Sequence, residues 1–170
     1  MADVKTIYQG RVITLNEERV KLPNDVICNL EIVRHPGGAA VVAINENKQV
    51  CLLKQYRHAA GGWLWELPAG KLESEEPAEK TAIRELREEA GVIASQWQDL
   101  GKIVTSPGVL TEIIYLYLAR DLEFVAQEIE EDEVIESHWV NYEEALAWVQ
   151  QGKIEDAKTI IGLYKALQFI

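Results

Sequence analysis

Cysteine is scarce in this sequence, as are proline and positive charge, and each shortage excludes something. Cys28 and Cys51 are the only cysteines in 170 residues, too few for a disulfide scaffold, and each lies in an apolar strand-like stretch, so two buried thiols are expected rather than a disulfide or a metal site. No apolar run approaches the roughly 18–20 residues that cross a bilayer. The start, Met1-Ala-Asp-Val-Lys-Thr, lacks the basic and apolar segments of a signal peptide, so a cytoplasmic protein without a membrane partner is expected. Lys and Arg number 17 against 28 Asp and Glu, a net charge of −11, which repels a phosphate backbone and argues against nucleic-acid binding. A chain this acidic that handles phosphate needs bridging cations.

What is present is ordinary globular composition, with 48% hydrophobic and 26% charged residues, enough for one domain and a small appendage. Residues 4–33 read as a small β module of β-branched stretches separated by Asn16-Glu-Glu and Pro23-Asn-Asp. His35-Pro-Gly-Gly ends it, so the expected division is a module at 1–34 and a main domain at 35–170. Residues 39–44 and 49–56 are expected to form a hairpin around Asn45-Glu-Asn-Lys, with a further strand at 63–67. Pro77 and Gly91 bracket a helix. Strands are expected at 100–105, 113–119 and 134–140. Asn141 with Glu144 resembles a capping box opening a helix that stops near Gly152, and 156–169 reads as an amphipathic helix offering Ile160, Ile161, Leu163, Tyr164 and Leu167 for burial. Strands and helices without regular alternation indicate an α+β fold with a mixed sheet.

Acidic residues concentrate in two places, seven glutamates from Glu73 to Glu89 and a run from Glu128 to Glu133. On a helix, Glu85, Glu88 and Glu89 fall at i, i+3 and i+4, so three carboxylates share one face, while Ala78, Ala82, Leu86 and Ala90 line an apolar strip beside it. Such carboxylates repel one another unless cations neutralise them, and oxygen-only donors suit Mg²⁺ or Mn²⁺ rather than Zn²⁺. Arg84, one turn before Glu88, is placed to hold that carboxylate. The five tryptophans, Trp63, Trp65, Trp97, Trp139 and Trp148, are assigned to the core, and His35, His58 and His138 have no metal-ligand spacing.

The segment Gly70-x5-Glu76-x7-Arg84-Glu85-Leu86-x-Glu88-Glu89-x-Gly91-Val92 matches the Nudix box at every fixed position. The chain also resembles the ADP-ribose pyrophosphatase and nucleotide-sugar hydrolase group through Arg34-His-Pro-Gly, Gln55-Tyr-Arg57, Trp65-Glu-Leu-Pro-Ala-Gly70, Ser106-Pro-Gly and Asp156-Ala-Lys-Thr-Ile-Ile-Gly. The resemblance implies a Nudix α/β/α sandwich with an N-terminal module that exchanges across a homodimer. It also implies Mg²⁺-dependent hydrolysis, with Mn²⁺ substituting, of a nucleoside diphosphate sugar to a nucleoside monophosphate and a sugar phosphate.

By position, the Ala69 carbonyl, Glu85, Glu89 and Glu88 are then expected metal ligands, with Glu133 close to a metal. Glu131 is the expected base, Glu88 the alternative within the box, and Arg84 a supporting catalytic residue. Arg57, Arg34, Tyr8, Glu112, Pro107 and Gly108 are expected at the substrate. The rivals are a Nudix hydrolase of dinucleoside polyphosphates and a non-catalytic nucleotide-sensing module. Modules of the second kind typically lose box residues, and none is lost here.

Overall fold

The computed structural model describes residues 3–129 and 133–170. The chain divides into two compact units, Met1–Gly37 with Val104–Ile113, and Gly38–Ile103 with Ile114–Ile170.

The first unit is an antiparallel meander of β1 (Asp3–Gln9), β2 (Thr14–Lys21) and β3 (Ile27–Arg34). The β2–β3 turn closes with the Leu22 N–H donating to the Val26 carbonyl, and Asp25 takes a left-handed φ of 67°, which aspartate tolerates better than most residues. The module expected at 1–34 here continues to Gly37 and gathers a second segment. The Val33 N–H donates to the Val109 carbonyl, and the Thr111 N–H donates to the Val33 carbonyl. No local pattern announces a pairing between segments so far apart in sequence. Every residue of β1 is exposed, so its apolar members Val4, Ile7 and Tyr8 are in contact with water.

The second unit contains β4 (Gly38–Ala43), β5 (Gln49–Arg57), β6 (Gly62–Glu66), β7 (Ala69–Lys71), α1 (Ala78–Ala90), β8 (Val92–Val104), β9 (Ile113–Phe124), β10 (Ile135–Asn141), α2 (Tyr142–Gln150) and α3 (Ala157–Ala166). One sheet has the order β7-β4-β9-β8, with β4 and β9 parallel, and the other has the antiparallel order β10-β5-β6. All of β4 is buried, which is why it reads as a continuous run of small and β-branched apolar residues. Alternation along β4 and β5 divides the core in two. Ala39, Val41, Ala43, Cys51 and Leu53 pack with Ala82, Leu86 and Ala90 of α1. Ala40, Val42, Ile44, Val50 and Leu52 pack with Tyr142 and Ala145 of α2 and with Leu163 and Ala166 of α3. Helices therefore cover both faces, the α/β/α arrangement, and each large aliphatic side chain so buried contributes about 1.5–3 kcal/mol.

Several local expectations are corrected. The turn at Asn45 forms, but antiparallel pairing ends at Ile44–Val50, after which β4 and β5 diverge into different sheets. Strand β8 begins at Val92 rather than near residue 100, because at the edge of its sheet it needs little burial and accepts the polar run Ser95-Gln-Trp-Gln-Asp. The Asn141 side chain caps α2 through the Glu143 N–H, 3.0 Å away, rather than through Glu144. Tyr164 and Leu167 are exposed, since α3 buries only the stripe of Thr159, Gly162, Leu163 and Ala166. Cys28 is half-buried in β3 while Cys51 is fully buried, and both are free thiols. Trp63 is exposed, packed edge-on against Tyr56 at the end of the β5–β6 pair.

Candidate metal and phosphate site

Strand β7 and helix α1 bring the box together. Pro77 precedes the helix in an extended conformation, and Gly91 ends it at a left-handed φ of 64°, its N–H donating to the Arg87 carbonyl. Ala82, Leu86 and Ala90 anchor one side of α1 in the core, which holds the Glu85/Glu88/Glu89 face toward β7. There the Ala69 N–H donates to Glu89 at 2.7 Å. A Cβ on Gly70 would fall inside the Glu85 carboxylate, so glycine is what lets that side chain lie against the strand.

Arg84 organises the remaining acids. Its Nη1 donates to Glu85 at 2.7 Å and to Glu88 at 3.0 Å, and its Nη2 donates to Glu76 at 3.2 Å. Glu76 also accepts from the Thr81 hydroxyl at 2.8 Å, tying the loop to the first turn of the helix. That is the loop-organising role its place before the helix indicates. Glu73 is exposed.

Electrostatics mark two of these groups. Glu89 is 1% exposed, and burial pushes its carboxyl well above the usual range; the Ala69 N–H pulls it back, while Glu85 and Glu133 push it further up. Glu85 is 8% exposed and also raised, by burial first, with Arg84 opposing and Glu88 and Glu133 adding to the rise. Cys51 lies close enough to feel Glu89, and burial together with that charge pushes its thiol up to about 12. The thiol is therefore inert.

The acidic loop starts against the end of α1. The Val125 N–H donates to the Gly91 carbonyl, the Glu128 N–H to the Glu88 carbonyl at 3.0 Å, and Gln127 Nε2 to the Glu89 carbonyl at 2.6 Å. These bonds occupy carbonyls that a helix end leaves without partners. The charge of Glu133 acts on both Glu85 and Glu89. Glu131, the expected base, lies outside the described residues.

A second cluster adjoins the first. Arg57, at the end of β5, donates through Nε at 3.0 Å and Nη2 at 2.8 Å to the two oxygens of Glu66 on β6. Lys158, in the first turn of α3, reaches the same Glu66 at 2.9 Å and Asp156 at 3.1 Å. Burial raises the Glu66 carboxyl, yet Arg57 and Lys158 outweigh it and hold the group below its ordinary range. Glu89 feels the charge of Arg57, so the two clusters are electrostatically continuous.

The remaining expected substrate residues belong to the first unit. Arg34 forms a forked pair with Glu18, a buried partner, with its Nη2 2.6 Å from Oε1 and 2.7 Å from Oε2. Glu112 lies 3.4 Å from Nδ1 of His35, a nitrogen that already accepts the Gly37 N–H at 3.0 Å. Tyr8 is exposed on β1, and Pro107 and Gly108 are exposed in the turn where Ser106 accepts from the Val109 N–H. Sequence reasoning passed over Glu18, Glu66 and Lys158 as site residues. A signal for Glu66 and Lys158 existed, since both fall inside motif segments and a charged residue in an otherwise apolar strand needs a partner.

No group of three acidic, histidine or cysteine side chains among the described residues is gathered closely enough to hold a metal ion. The chemistry nevertheless fits a hard divalent cation: Glu85 and Glu89 are buried oxygen donors whose carboxyls burial and neighbouring acids push up, and a cation is what relieves that penalty. Arg84 supplies further countercharge to Glu85 and Glu88.

Known proteins resemble this chain in sequence and in fold. A methanol dehydrogenase activator from Bacillus methanolicus is 41% identical over 165 residues, 95% of this chain and 89% of that protein. An ADP-ribose pyrophosphatase from Bacillus subtilis (strain 168) is 41% identical over 155 residues, 90% of this chain and 84% of that one. The crystal structure of an ADP compounds hydrolase shares the fold, with a TM-score of 0.85 over 99% of this chain and 92% of that chain at 19% identity. The family description that matches residues 34–161 is the NUDIX domain, and the chain belongs to the Nudix family.

Proposed function

We propose that the protein is a divalent-metal-dependent pyrophosphohydrolase that cleaves the diphosphate linkage of ADP-ribose or a related nucleoside diphosphate sugar. Water adds to one phosphorus, the bridging P–O bond breaks, and a nucleoside monophosphate and a sugar phosphate leave. The observation that carries this reading is the pair of buried carboxylates Glu85 and Glu89 on one face of α1, opposite Ala69 and Gly70. The 41% identical ADP-ribose pyrophosphatase supports the choice of substrate class.

The Ala69 carbonyl, Glu85, Glu88, Glu89 and Glu133 are the residues that would hold Mg²⁺, or Mn²⁺ in its place. Bound metal would supply Lewis-acid stabilisation of the phosphoryl oxygens and acidify water. Arg84 orients Glu85 and Glu88 by direct hydrogen bonds. Arg57 contacts a phosphate through guanidinium donors that its pairing with Glu66 does not use. Glu131 takes the proton from water, with Glu88 the alternative inside the box. Arg34, Tyr8, Glu112, Pro107 and Gly108 form the nucleoside and sugar contacts of the first unit, which works as a homodimer element. The reaction is placed in the cytoplasm, where thiols such as Cys28 and Cys51 stay reduced.

The test is a panel of ADP-ribose, GDP-mannose and a dinucleoside polyphosphate, assayed with Mg²⁺ and with Mn²⁺, with the products separated by chromatography. Turnover of a nucleotide sugar to two monophosphates is expected, and Glu89→Gln should lower kcat by at least about two orders of magnitude, roughly 3 kcal/mol of barrier. Nucleotide binding without turnover of any panel member would favour a sensing module instead.

A further inference from the structure

The Arg57–Glu66–Lys158–Asp156 cluster is larger than a single phosphate contact requires. Two cations and two carboxylates sum to zero charge, yet they are not equally accessible. The Arg57 side chain is 40% exposed, against 2% for Glu66, 15% for Lys158 and 17% for Asp156. The cluster therefore presents the Arg57 guanidinium to solvent and keeps the Glu66 carboxylate inside, with Lys158 and Asp156 in between.

The reason for the second cation is local. An Arg57–Glu66 pair alone is neutral, and its carboxylate would oppose a diphosphate brought to the guanidinium. Lys158 Nζ bonds the same Glu66 oxygen, Oε2, that accepts from Arg57 Nη2, so the anion's field is divided between two cations. Asp156 points its other oxygen at α3 instead, accepting from the Thr159 N–H at 2.9 Å and the Thr159 hydroxyl at 2.6 Å. Three segments, the ends of β5 and β6 and the first turn of α3, thus converge on one carboxylate.

We propose that Glu66 and Lys158 are positioning residues for the diphosphate, Glu66 holding the Arg57 guanidinium in one orientation and Lys158 offsetting the Glu66 charge so that Arg57 stays attractive to a phosphoryl oxygen. The inference rests on the nucleotide-sugar hydrolase reading and adds to it two residues from β6 and α3. The alternative is that the cluster only ties α3 to the sheet.

Steady-state kinetics of full-length Glu66→Gln, Lys158→Met and Lys158→Arg with ADP-ribose decide between them, together with inhibition by AMP and melting curves. Lys158→Met and Glu66→Gln should each lower kcat/KM by about 10- to 100-fold, a displacement of the phosphate contact by a fraction of an ångström being enough. AMP inhibition should weaken in the same two variants, the Mg²⁺ concentration for half-maximal activity should stay within about twofold of wild type, and Lys158→Arg should recover most of the loss. Variants that keep kcat/KM within about twofold, or that lose activity only in proportion to the fraction unfolded at the assay temperature, overturn the proposal. If Glu66→Gln does not fold, the Lys158 pair decides by itself. A wild-type protein that hydrolyses no nucleotide sugar overturns the underlying reading and this inference with it, whereas an active wild type with unaffected variants overturns the inference alone.

Discussion

The Glu85 carboxylate fills the space in which any other residue at position 70 would carry its Cβ. Gly70→Ala must therefore displace that carboxylate while leaving the core clusters untouched. The expected outcome is a protein with wild-type circular dichroism and a kcat/KM lowered by about 100-fold or more, since small misplacements of reacting groups cost that much. A fully active Gly70→Ala would show that Glu85 need not lie against β7. Glu66 supports a second prediction at this scale. Its folded carboxyl is held below the ordinary value by Arg57 and Lys158 despite burial. A lowered carboxylate adds stability that is fully present above the unfolded value of about 4.3 and is lost as pH falls through the folded value. The melting temperature of wild type should thus exceed that of Glu66→Gln at pH 7, and the gap should close below about pH 4. A gap independent of pH would mean that the Glu66 charge contributes nothing.

Helix α3 shows how one element is tied to the sheet. The buried Thr159 hydroxyl accepts the Leu67 N–H at 2.8 Å and donates to Asp156 at 2.6 Å, so one oxygen joins the end of β6 to the helix cap. Thr159→Val keeps the shape and leaves the Leu67 N–H buried without an acceptor, at a cost of about 1–3 kcal/mol. In urea unfolding the midpoint should fall with the slope unchanged, because the surface exposed on unfolding is the same. An unchanged midpoint would mean that the amide finds another acceptor. The same helix carries Gly162, where a Cβ would come within 2.7 Å of Leu67 and 3.2 Å of Val42, so α3 lies close against the sheet below it.

At the scale of the whole molecule, the first unit leaves Val4, Ile7, Tyr8, Ile27 and Leu30 exposed on a three-stranded sheet. A sheet that small has little core of its own, and apolar surface of this kind marks an interaction face. A second copy of the chain is the expected occupant. Light scattering should give a dimer, and deletion of residues 1–33 should remove dimerisation and activity together. A monomeric, fully active full-length protein would refute this.

How far the sequence alone determined these features follows from the range of the forces involved. The box was legible because helix periodicity is local: Glu85, Glu88 and Glu89 must share a face whatever surrounds them, and Ala82 and Leu86 beside them must seek a core. The caps at Gly91 and Asn141 and the buried strand β4 were legible for the same reason. Tertiary structure alone decided the pairing of Val33 with Leu110, the parting of β4 and β5 into separate sheets, and the edge strand that runs from Val92. Each depends on partners tens of residues away and leaves no periodic trace. The same holds for the meeting of Glu66 with Lys158 across 92 residues of sequence. The motif declared which residue types were present, but only burial at the point where β5, β6 and α3 converge made it costly for Glu66 to lack a cation.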